Sequence, residues 1–131
     1  MARSNGSKPS LLILDNVRSR KLFETVLGAA YDVVCADDPE EALRLIPEKK
    51  PDLVLLNHSL SATDGLSVAK RIREGDSPGV PILLIINGDR PTLRKQAEQA
   101  GCDGCVSKPI NPKKLLEQVE ALLNEGNRRQ P

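Results

Sequence analysis

The stretch Leu53-Val54-Leu55-Leu56-Asn57 decides the fold of this 131-residue chain. Four apolar residues in unbroken succession are typical of a short strand that is covered on both faces, as the strands of a parallel sheet are. The run ends on a neutral amide at Asn57, where the strand would pass into a loop. Because ligands of open parallel sheets bind beyond the carboxyl ends of the strands, Asn57 is the first candidate site residue.

Apolar runs of this kind alternate with segments of helical period five times along the chain. The other four runs are Leu11 to Leu14, Tyr31 to Cys35, Ile82 to Ile86 and Cys105 to Val106. The run that starts at Tyr31 is more polar than the others, so we predict that it forms an edge strand. The alternation as a whole predicts an α/β domain built on a parallel sheet of five strands.

Capping residues mark where two of the helices begin. Asp38 is predicted to cap a helix with Pro39 at its first position and Glu41 completing a capping box. Asn111 and Pro112 predict the start of the last helix in the same way. Both signals follow a predicted strand, as a strand-helix alternation requires.

The ends of the helices are indicated by glycine and proline. Gly126 is predicted to lie just beyond the last helix. Pro47 falls inside a helical pattern and is predicted to end the second helix near Ile46. Asn87-Gly88 has the composition of a hairpin turn, but the segment from Arg90 to Ala100 is helical in composition, so we predict a strand-to-helix loop there.

Length and charge restrict the organisation and the partners. We predict one domain over residues 10–125, with flexible tails at residues 1–9 and 126–131. Nineteen basic and eighteen acidic residues give a net charge of +1, which offers no electrostatic basis for binding nucleic acid or a membrane surface. No apolar stretch approaches the ~20 residues of a membrane span, and residues 1–10 lack the apolar core of a secretion signal, so we expect a cytoplasmic protein.

The chain has three cysteines, two of which, Cys102 and Cys105, form a C-x-x-C motif. Redox motifs of this form usually sit at a helix N-terminus, whereas this pair follows a helical pattern and enters a short strand. Three thiols are also one too few for a four-thiolate zinc site. We therefore interpret both side chains as small, partly buried packing residues in a reduced protein.

The residues that follow each run bring the chain close to a known family. The relevant segments are Leu-Leu-Ile-Leu-Asp15-Asn16, Leu-Val-Leu-Leu-Asn57 with Asp64-Gly65 after it, Val80-Pro81 before the fourth run, and Ala100-Gly101 followed by Lys108-Pro109. In order and spacing they resemble the receiver domain of two-component response regulators, over about Leu11 to Asn124. The resemblance implies a three-layer flavodoxin-like (βα)5 sandwich with strand order 2-1-3-4-5 and a role in phosphorelay signal transduction.

The resemblance also implies what each strand-end residue would do. Asn57 occupies the phosphoacceptor position, which carries an aspartate in the family. Asp15 matches the first of two acidic residues that help to bind magnesium, and Asn16 replaces the second. This pattern implies a degenerate variant, or pseudo-receiver, that lacks the phosphoacceptor aspartate.

Four other positions carry the rest of the family's machinery. Lys108 and Pro109 match the family's lysine and the proline after it. Ile86 stands where a hydroxyl residue grips the phosphoryl group, and Cys105 stands where a switching aromatic residue is usual. Each of these last two residues, taken singly, could simply extend the core of its strand.

Chemistry alone gives the same expectation of an inactive site. An amide is a poor nucleophile, so Asn57 cannot accept a phosphoryl group as a carboxylate would. Asp15 is left as the one strong ligand for a hard cation, so magnesium binding should be weak or absent. We expect no catalytic residue, no metal, no cofactor and no enzymatic activity, with Asp15 and Lys108 persisting as a structural ion pair.

We therefore expect a phosphorylation-independent protein-interaction module, monomeric or weakly dimeric. Its partner would be a histidine kinase, an output domain or an adaptor. The resemblance implies that this partner binds the face made by the fourth helix, fifth strand and fifth helix, where the family usually makes contacts. One alternative is a small-ligand sensor that uses the vacated pocket between Asp15, Asn57, Ile86 and Lys108. A second is a receiver that still docks histidine kinases without phosphotransfer.

Other site hypotheses find less support. His58, the single histidine, is interpreted as a loop residue because no orienting partner is evident. Modification of Ser59, Ser61 or Thr63 is left open, since loop hydroxyls are common.

A flavin, dinucleotide or P-loop site is disfavoured because residues 16–19 contain no glycine. A haloacid dehalogenase-type phosphatase would need a second acid where Val17 stands.

Overall fold

The computed structural model describes residues 8–60, 63–75 and 77–129. Strands and helices alternate strictly along these residues. The strands are β1 (Ser10–Leu14), β2 (Asp32–Ala36), β3 (Leu53–Asn57), β4 (Ile82–Asn87) and β5 (Gly104–Lys108). The helices are α1 (Val17–Leu27), α2 (Pro39–Lys49), α3 (Gly65–Glu74), α4 (Pro91–Gln99) and α5 (Pro112–Arg129).

The strands form one parallel sheet in the order β2-β1-β3-β4-β5. The predicted three-layer flavodoxin-like sandwich and its strand order are therefore confirmed. β2 lies at one edge, as its more polar sequence predicted. The opposite edge is β5, which contacts both α4 and α5.

Two apolar layers cover the two faces of the sheet. Along β3, Val54 and Leu56 pack with residues of α2, α3 and α4, whereas Leu53 and Leu55 pack with residues of α1 and α5. All four side chains are fully buried, because neighbouring residues of a strand point to opposite faces and both faces are covered. Burying each such side chain stabilises the fold by about 1.5–3 kcal/mol, which explains the unbroken apolar run.

Both predicted helix starts are confirmed by their hydrogen bonds. Asp38 Oδ1 accepts from Glu41 N at 2.8 Å, and Asn111 Oδ1 accepts from Lys114 N at 3.1 Å. The Glu41 carboxylate accepts from Asp37 N at 2.6 Å, one residue before the position that a standard capping box would use. The loop after β4 is also confirmed, since Gly88 adopts φ 71° there and leads into α4 rather than a second strand.

The prediction that Pro47 ends the second helix is wrong. α2 continues to Lys49, and Lys50 N still donates to Ile46 O at 2.9 Å. Pro47 lies in the last turn, where its missing N–H removes only one helical hydrogen bond. Ile46 is 4% exposed, so packing on the sheet holds this turn in place despite the proline.

The prediction that the last helix ends at Gly126 is also wrong. α5 runs to Arg129, so it includes residues 126–129 of the predicted C-terminal tail. A glycine in a helix interior costs only about 1 kcal/mol relative to alanine, which an 18-residue helix can absorb. Of the predicted N-terminal tail, residues 1–7 lie outside the described residues, while Pro9 O accepts from Asp32 N at 2.9 Å.

Among the described residues, no helix combines the length and the apolar character needed to cross a bilayer.

Candidate functional site

The candidate site lies at the carboxyl edge of the sheet, where β1 and β3 end side by side. Asp15 follows β1 and Asn57 is the last residue of β3. Each is 2% exposed, and they are the buried polar residues among those the structure describes. The sequence placed both residues at this edge, and the parallel register of β1 with β3 brings them together.

The two side chains are hydrogen bonded. Asn57 Nδ2 donates to Asp15 Oδ1 at 2.5 Å, and Asn16 N donates to the same oxygen at 2.7 Å. Asn57 Oδ1 accepts from Ser59 N at 3.2 Å. Both ends of the amide therefore have partners, and the orientation of Asn57 is determined because only Nδ2 can donate to a carboxylate.

Lys108 supplies the charge that balances Asp15. Its Nζ lies 3.6 Å from Asp15 Oδ2. The side chain of Asp15 is fully buried, and that of Lys108 is 23% exposed. The expected ion pair is thus present. Asp15 Oδ2 has no hydrogen bond within the described residues, so the ammonium is its charge partner.

Ser19 is a site residue that the sequence did not reveal. Its hydroxyl accepts from Lys108 Nζ at 3.1 Å and lies 3.3 Å from Asn16 Oδ1. Ser19 stands one helical turn after Asn16, at the start of α1. The three-residue spacing is a local signal that could have grouped these two side chains, but nothing local links Ser19 to Lys108.

Ile86 and Cys105 lie on the α4 side of the sheet. Ile86 is fully buried and packs in the same apolar layer as Leu56 and Leu84. Cys105 is half-buried and packs against that layer from β5. Both residues therefore contribute to the core of their strands. Pro109 follows Lys108 directly, and the peptide bond between them is cis.

A groove of about 490 Å³ runs between α4, β5 and α5. Arg94 of α4 crosses it: Arg94 Nη2 donates to Ser107 Oγ at 2.8 Å, and Arg94 Nε lies 3.3 Å from Asp89 Oδ1. Lys108 is the one residue shared by the groove and the Asp15 pair. Arg94 was not predicted as a site residue. It contacts one residue in the loop between β4 and α4 and another in β5, and no helical or strand periodicity relates those two positions to Arg94.

The cysteines are packing residues, as the sequence suggested. Cys102 is 9% exposed within the apolar layer, and burial raises the pKa of its thiol to about 12. Burial also raises the pKa of Cys105 above its usual value. Both thiols are protonated at neutral pH, which is the unreactive form. Within the described ranges, no three His, Cys, Asp or Glu side chains are grouped as a metal site would require.

His58 lies in a tightly packed loop beside the site. His58 N donates to Ile85 O at 2.8 Å, and His58 O accepts from Gly65 N at 2.8 Å. A Cβ on Gly65 would stand 2.5 Å from Asn57 O, so only glycine fits there. Ser59 and Thr63 are described residues of this loop, whereas Ser61 lies outside them.

Comparisons with known proteins agree with this architecture. The model of the response regulator receiver domain matches residues 11–120. The polar-differentiation response regulator DivK of Brucella anthropi is 29% identical over 125 residues, with 91% of this chain and 98% of DivK covered. The "Probable transcriptional regulator ycf27" of Guillardia theta is 36% identical over 124 residues, with 93% of this chain but 48% of ycf27 covered.

The chain thus spans about half the length of ycf27, and likewise 52% of the Pseudomonas aeruginosa regulator PhoB. Among solved structures, a two-component response regulator of the LuxR family from Aurantimonas has a TM-score of 0.83 and 28% identity. That likeness covers 91% of this chain and 87% of the other. The chain therefore belongs to the response regulator receiver domains of two-component signalling.

Proposed function

We propose that this receiver domain signals by binding another protein and receives no phosphoryl group in doing so. The observation that carries the proposal is the buried hydrogen bond from Asn57 Nδ2 to Asp15 Oδ1. Asn57 stands at the carboxyl end of β3, where the family's motif places its phosphoacceptor aspartate. In this proposal the chain is a degenerate receiver, or pseudo-receiver.

The amide at Asn57 is unsuited to phosphotransfer. A side chain that accepts a phosphoryl group needs a good nucleophile, such as the carboxylate oxygen of an aspartate, and a neutral amide oxygen is a poor one. Asn57 Oδ1 already accepts from Ser59 N, and Nδ2 is committed to Asp15. We therefore assign no catalytic residue to this edge of the sheet and no enzymatic activity to the chain.

The surrounding oxygens fit magnesium poorly. Asp15 Oδ1 already accepts two N–H groups, and Asp15 Oδ2 faces the Lys108 ammonium at 3.6 Å. Mg²⁺ prefers several hard oxygens in octahedral array and depends on carboxylate charge. Asn16 and Asn57 supply amides in place of that charge, so we propose weak or no magnesium binding and no cofactor.

The residues at the two switch positions also differ from those of the family's motif. Ile86 has no hydroxyl with which to follow a phosphoryl group, and it is fully buried. Cys105 is too small to swing between a buried and an exposed position as an aromatic ring would. We propose a single fixed conformation, in which α4, β5 and α5 present the binding face to a histidine kinase, an output domain or an adaptor.

The small-ligand alternative has less support. The groove of about 490 Å³ is lined by Lys108, but Asp15, Asn57 and Ile86 are not among its lining residues. Those three side chains are at most 2% exposed, so they offer a small molecule little surface. A cytoplasmic location and a monomeric or weakly dimeric state complete the proposal.

An amide NMR titration tests the proposal. Millimolar magnesium, followed by beryllofluoride or acetyl phosphate, should produce no saturable shifts at Asp15, Asn57 or their neighbours. Intact mass after acetyl phosphate treatment should be unchanged. A base-labile acyl phosphate on the unmodified chain, or saturable shifts centred on Asn57, would contradict the proposal.

A further inference from the structure

We propose that Arg94 holds α4 and the loop before it against β5, and that its contacts keep this side of the sheet in one arrangement. This inference rests on the proposed function, because it names the side chain that fixes the conformation proposed there. A fixed conformation needs a physical cause beyond the loss of the switch residues. The contacts of Arg94 supply that cause.

α4 has few buried residues with which to pack on the rest of the fold. It has nine residues, of which Leu93 and Ala97 are buried. α3, with ten residues, has four buried ones. Elements with few buried apolar contacts open locally at a low cost in free energy. α4 and the loop before it therefore depend on polar contacts more than α3 does.

Arg94 supplies polar contacts to two other parts of the fold. Arg94 Nη2 donates to Ser107 Oγ of β5 at 2.8 Å, and Arg94 Nε lies 3.3 Å from Asp89 Oδ1 in the β4-α4 loop. Arg94 N donates to Arg90 O at 3.0 Å, which fixes the backbone of Arg94 in the first turn of α4. One side chain thus joins α4 to β5 and to the loop, so a shift of α4 along β5 would break the bond to Ser107.

A backbone hydrogen bond lies beside these side-chain contacts. Gly88 N donates to Lys108 O at 3.1 Å, and Gly88 adopts φ 71°, in the region that favours glycine. Ser107 and Lys108 are adjacent at the end of β5. Opening of the loop would break the Gly88 bond together with the Arg94 contacts. Exchange of the Gly88 amide hydrogen therefore reports on whether Arg94 holds the loop.

The bond to Ser107 is the contact that we expect to matter most. The side chains of Arg94 and Asp89 are 42% and 78% exposed, and exposed ion pairs contribute little. Ser107 is partly buried within β5. A hydrogen bond from a charged donor such as Arg94 is also stronger than one between neutral groups.

The small side chain of Cys105 leaves room for this arrangement. Cys105 and Arg94 both line the groove between α4, β5 and α5. Burial raises the pKa of the Cys105 thiol and the charge of Arg94 opposes that rise, which places the guanidinium near the sulfur. A bulky aromatic residue at Cys105 would compete with Arg94 for this space. The cysteine and the arginine are therefore two parts of one arrangement.

Hydrogen exchange at the Gly88 amide, followed by NMR in the full chain, tests the proposal. Arg94→Gln and Ser107→Ala should each speed this exchange by about tenfold, which is the scale expected for losing one hydrogen bond from a charged donor. Ser107→Thr keeps the hydroxyl and should retain the rate of the unchanged chain. Asp89→Asn should change the rate by less than about twofold.

Two controls separate a local effect from a general one. Lys95→Gln removes the charge of the next residue on α4, which is also exposed, and should leave Gly88 exchange unchanged. Val54 N donates to Pro81 O at 2.9 Å, and Val54 belongs to β3, the central strand. Its amide should exchange at the same rate in every variant. Equal acceleration at Gly88 and Val54 would mean that Arg94 stabilises the whole fold, which contradicts the proposal.

The double variant of Arg94→Gln with Ser107→Ala gives a further test. Because both changes remove the same bond, together they should speed Gly88 exchange no more than either change alone. The inference is overturned by additive acceleration, by an unchanged Gly88 rate in Arg94→Gln, or by equal effects of Ser107→Ala and Ser107→Thr. These measurements use neither acetyl phosphate nor beryllofluoride, so failure here is distinguishable from failure of the proposed function.

Discussion

Asn57 and Asp15, 42 residues apart in the chain, are joined by a buried hydrogen bond of 2.5 Å from Asn57 Nδ2 to Asp15 Oδ1. The amide donates to the carboxylate, where a second carboxylate would repel it. Lys108 balances the remaining charge of Asp15 at 3.6 Å. The carboxyl edge of the sheet is therefore close to neutral without a bound cation.

Asn57→Asp should destabilise the chain at neutral pH. The change places a second carboxylate against Asp15 in a buried setting, where we expect a loss of about 2–4 kcal/mol. Urea unfolding measures this loss, and magnesium should restore part of it by binding between the two carboxylates. The loss should shrink as the pH falls towards about 4, where carboxylates become protonated.

The same variant should not recover a conformational switch. Asn16, Ile86 and Cys105 would still differ from the family's motif, so beryllofluoride should produce no shifts across α4 and β5. Asn57→Leu is the control, since it removes the hydrogen bond without adding charge. A widespread change in the amide spectrum of Asn57→Asp with beryllofluoride would refute the fixed conformation.

Lys108→Met should be strongly destabilising, because it leaves the buried Asp15 charge without a partner. Removing one member of a buried pair typically costs 3–5 kcal/mol. Combining it with Asp15→Asn should recover much of that loss, which a double-mutant cycle by urea unfolding would show as a coupling energy. Lys113→Met, exposed at the start of α5, is the control. Additive losses would mean that the two charges do not interact.

Arg73→Lys should destabilise the chain by about 2–4 kcal/mol, because a lysine cannot reproduce the bonds of a partly buried guanidinium. Arg73 donates to Gly101 O, Pro78 O and Val80 O at 2.6–2.9 Å and pairs with Asp103 Oδ2 at 2.8 Å. These contacts join the loop that precedes β4 to the loop that precedes β5.

Arg71→Lys, two residues earlier on α3, is the matched control for Arg73→Lys. Arg71 pairs with Glu40 on an exposed surface, so its replacement should change stability little. Thermal or urea unfolding compares the two variants. Equal effects would show that the Arg73 contacts do not stabilise the loops.

Cys102 should make stability fall at high pH. Burial raises the pKa of its thiol from 9.0 to about 12, so between these values the unfolded chain loses a proton that the folded chain keeps. The free energy of unfolding should therefore decrease as the pH rises through this window and be unaffected by Cys102 below it. Urea unfolding of Cys102→Ala should show a smaller decrease. Slow native-state alkylation of Cys102 is expected for the same reason.

Strands and helix starts were predictable from the sequence because their causes are local. The apolar run at Leu53 and the caps at Asp38 and Asn111 act within a few residues of themselves. The helix ends predicted at Pro47 and Gly126 were wrong. A glycine or proline in a helix costs only about 1–3 kcal/mol relative to alanine, and the helix around each residue continues despite that cost. Burial of the Ile46 side chain, directly before Pro47, stabilises the helical turn that the proline destabilises.

The amino-acid sequence by itself determined which residue types stand at the ends of the strands: an amide at Asn57, one carboxylate at Asp15 and one ammonium at Lys108. Only the tertiary structure decided that the Asn57 amide donates to Asp15, that Ser19 holds Lys108, and that Arg94 crosses the groove. The reason is physical. The first two contacts join residues 42 and 89 positions apart, and such contacts follow from strand order and packing, which no local period in the chain records.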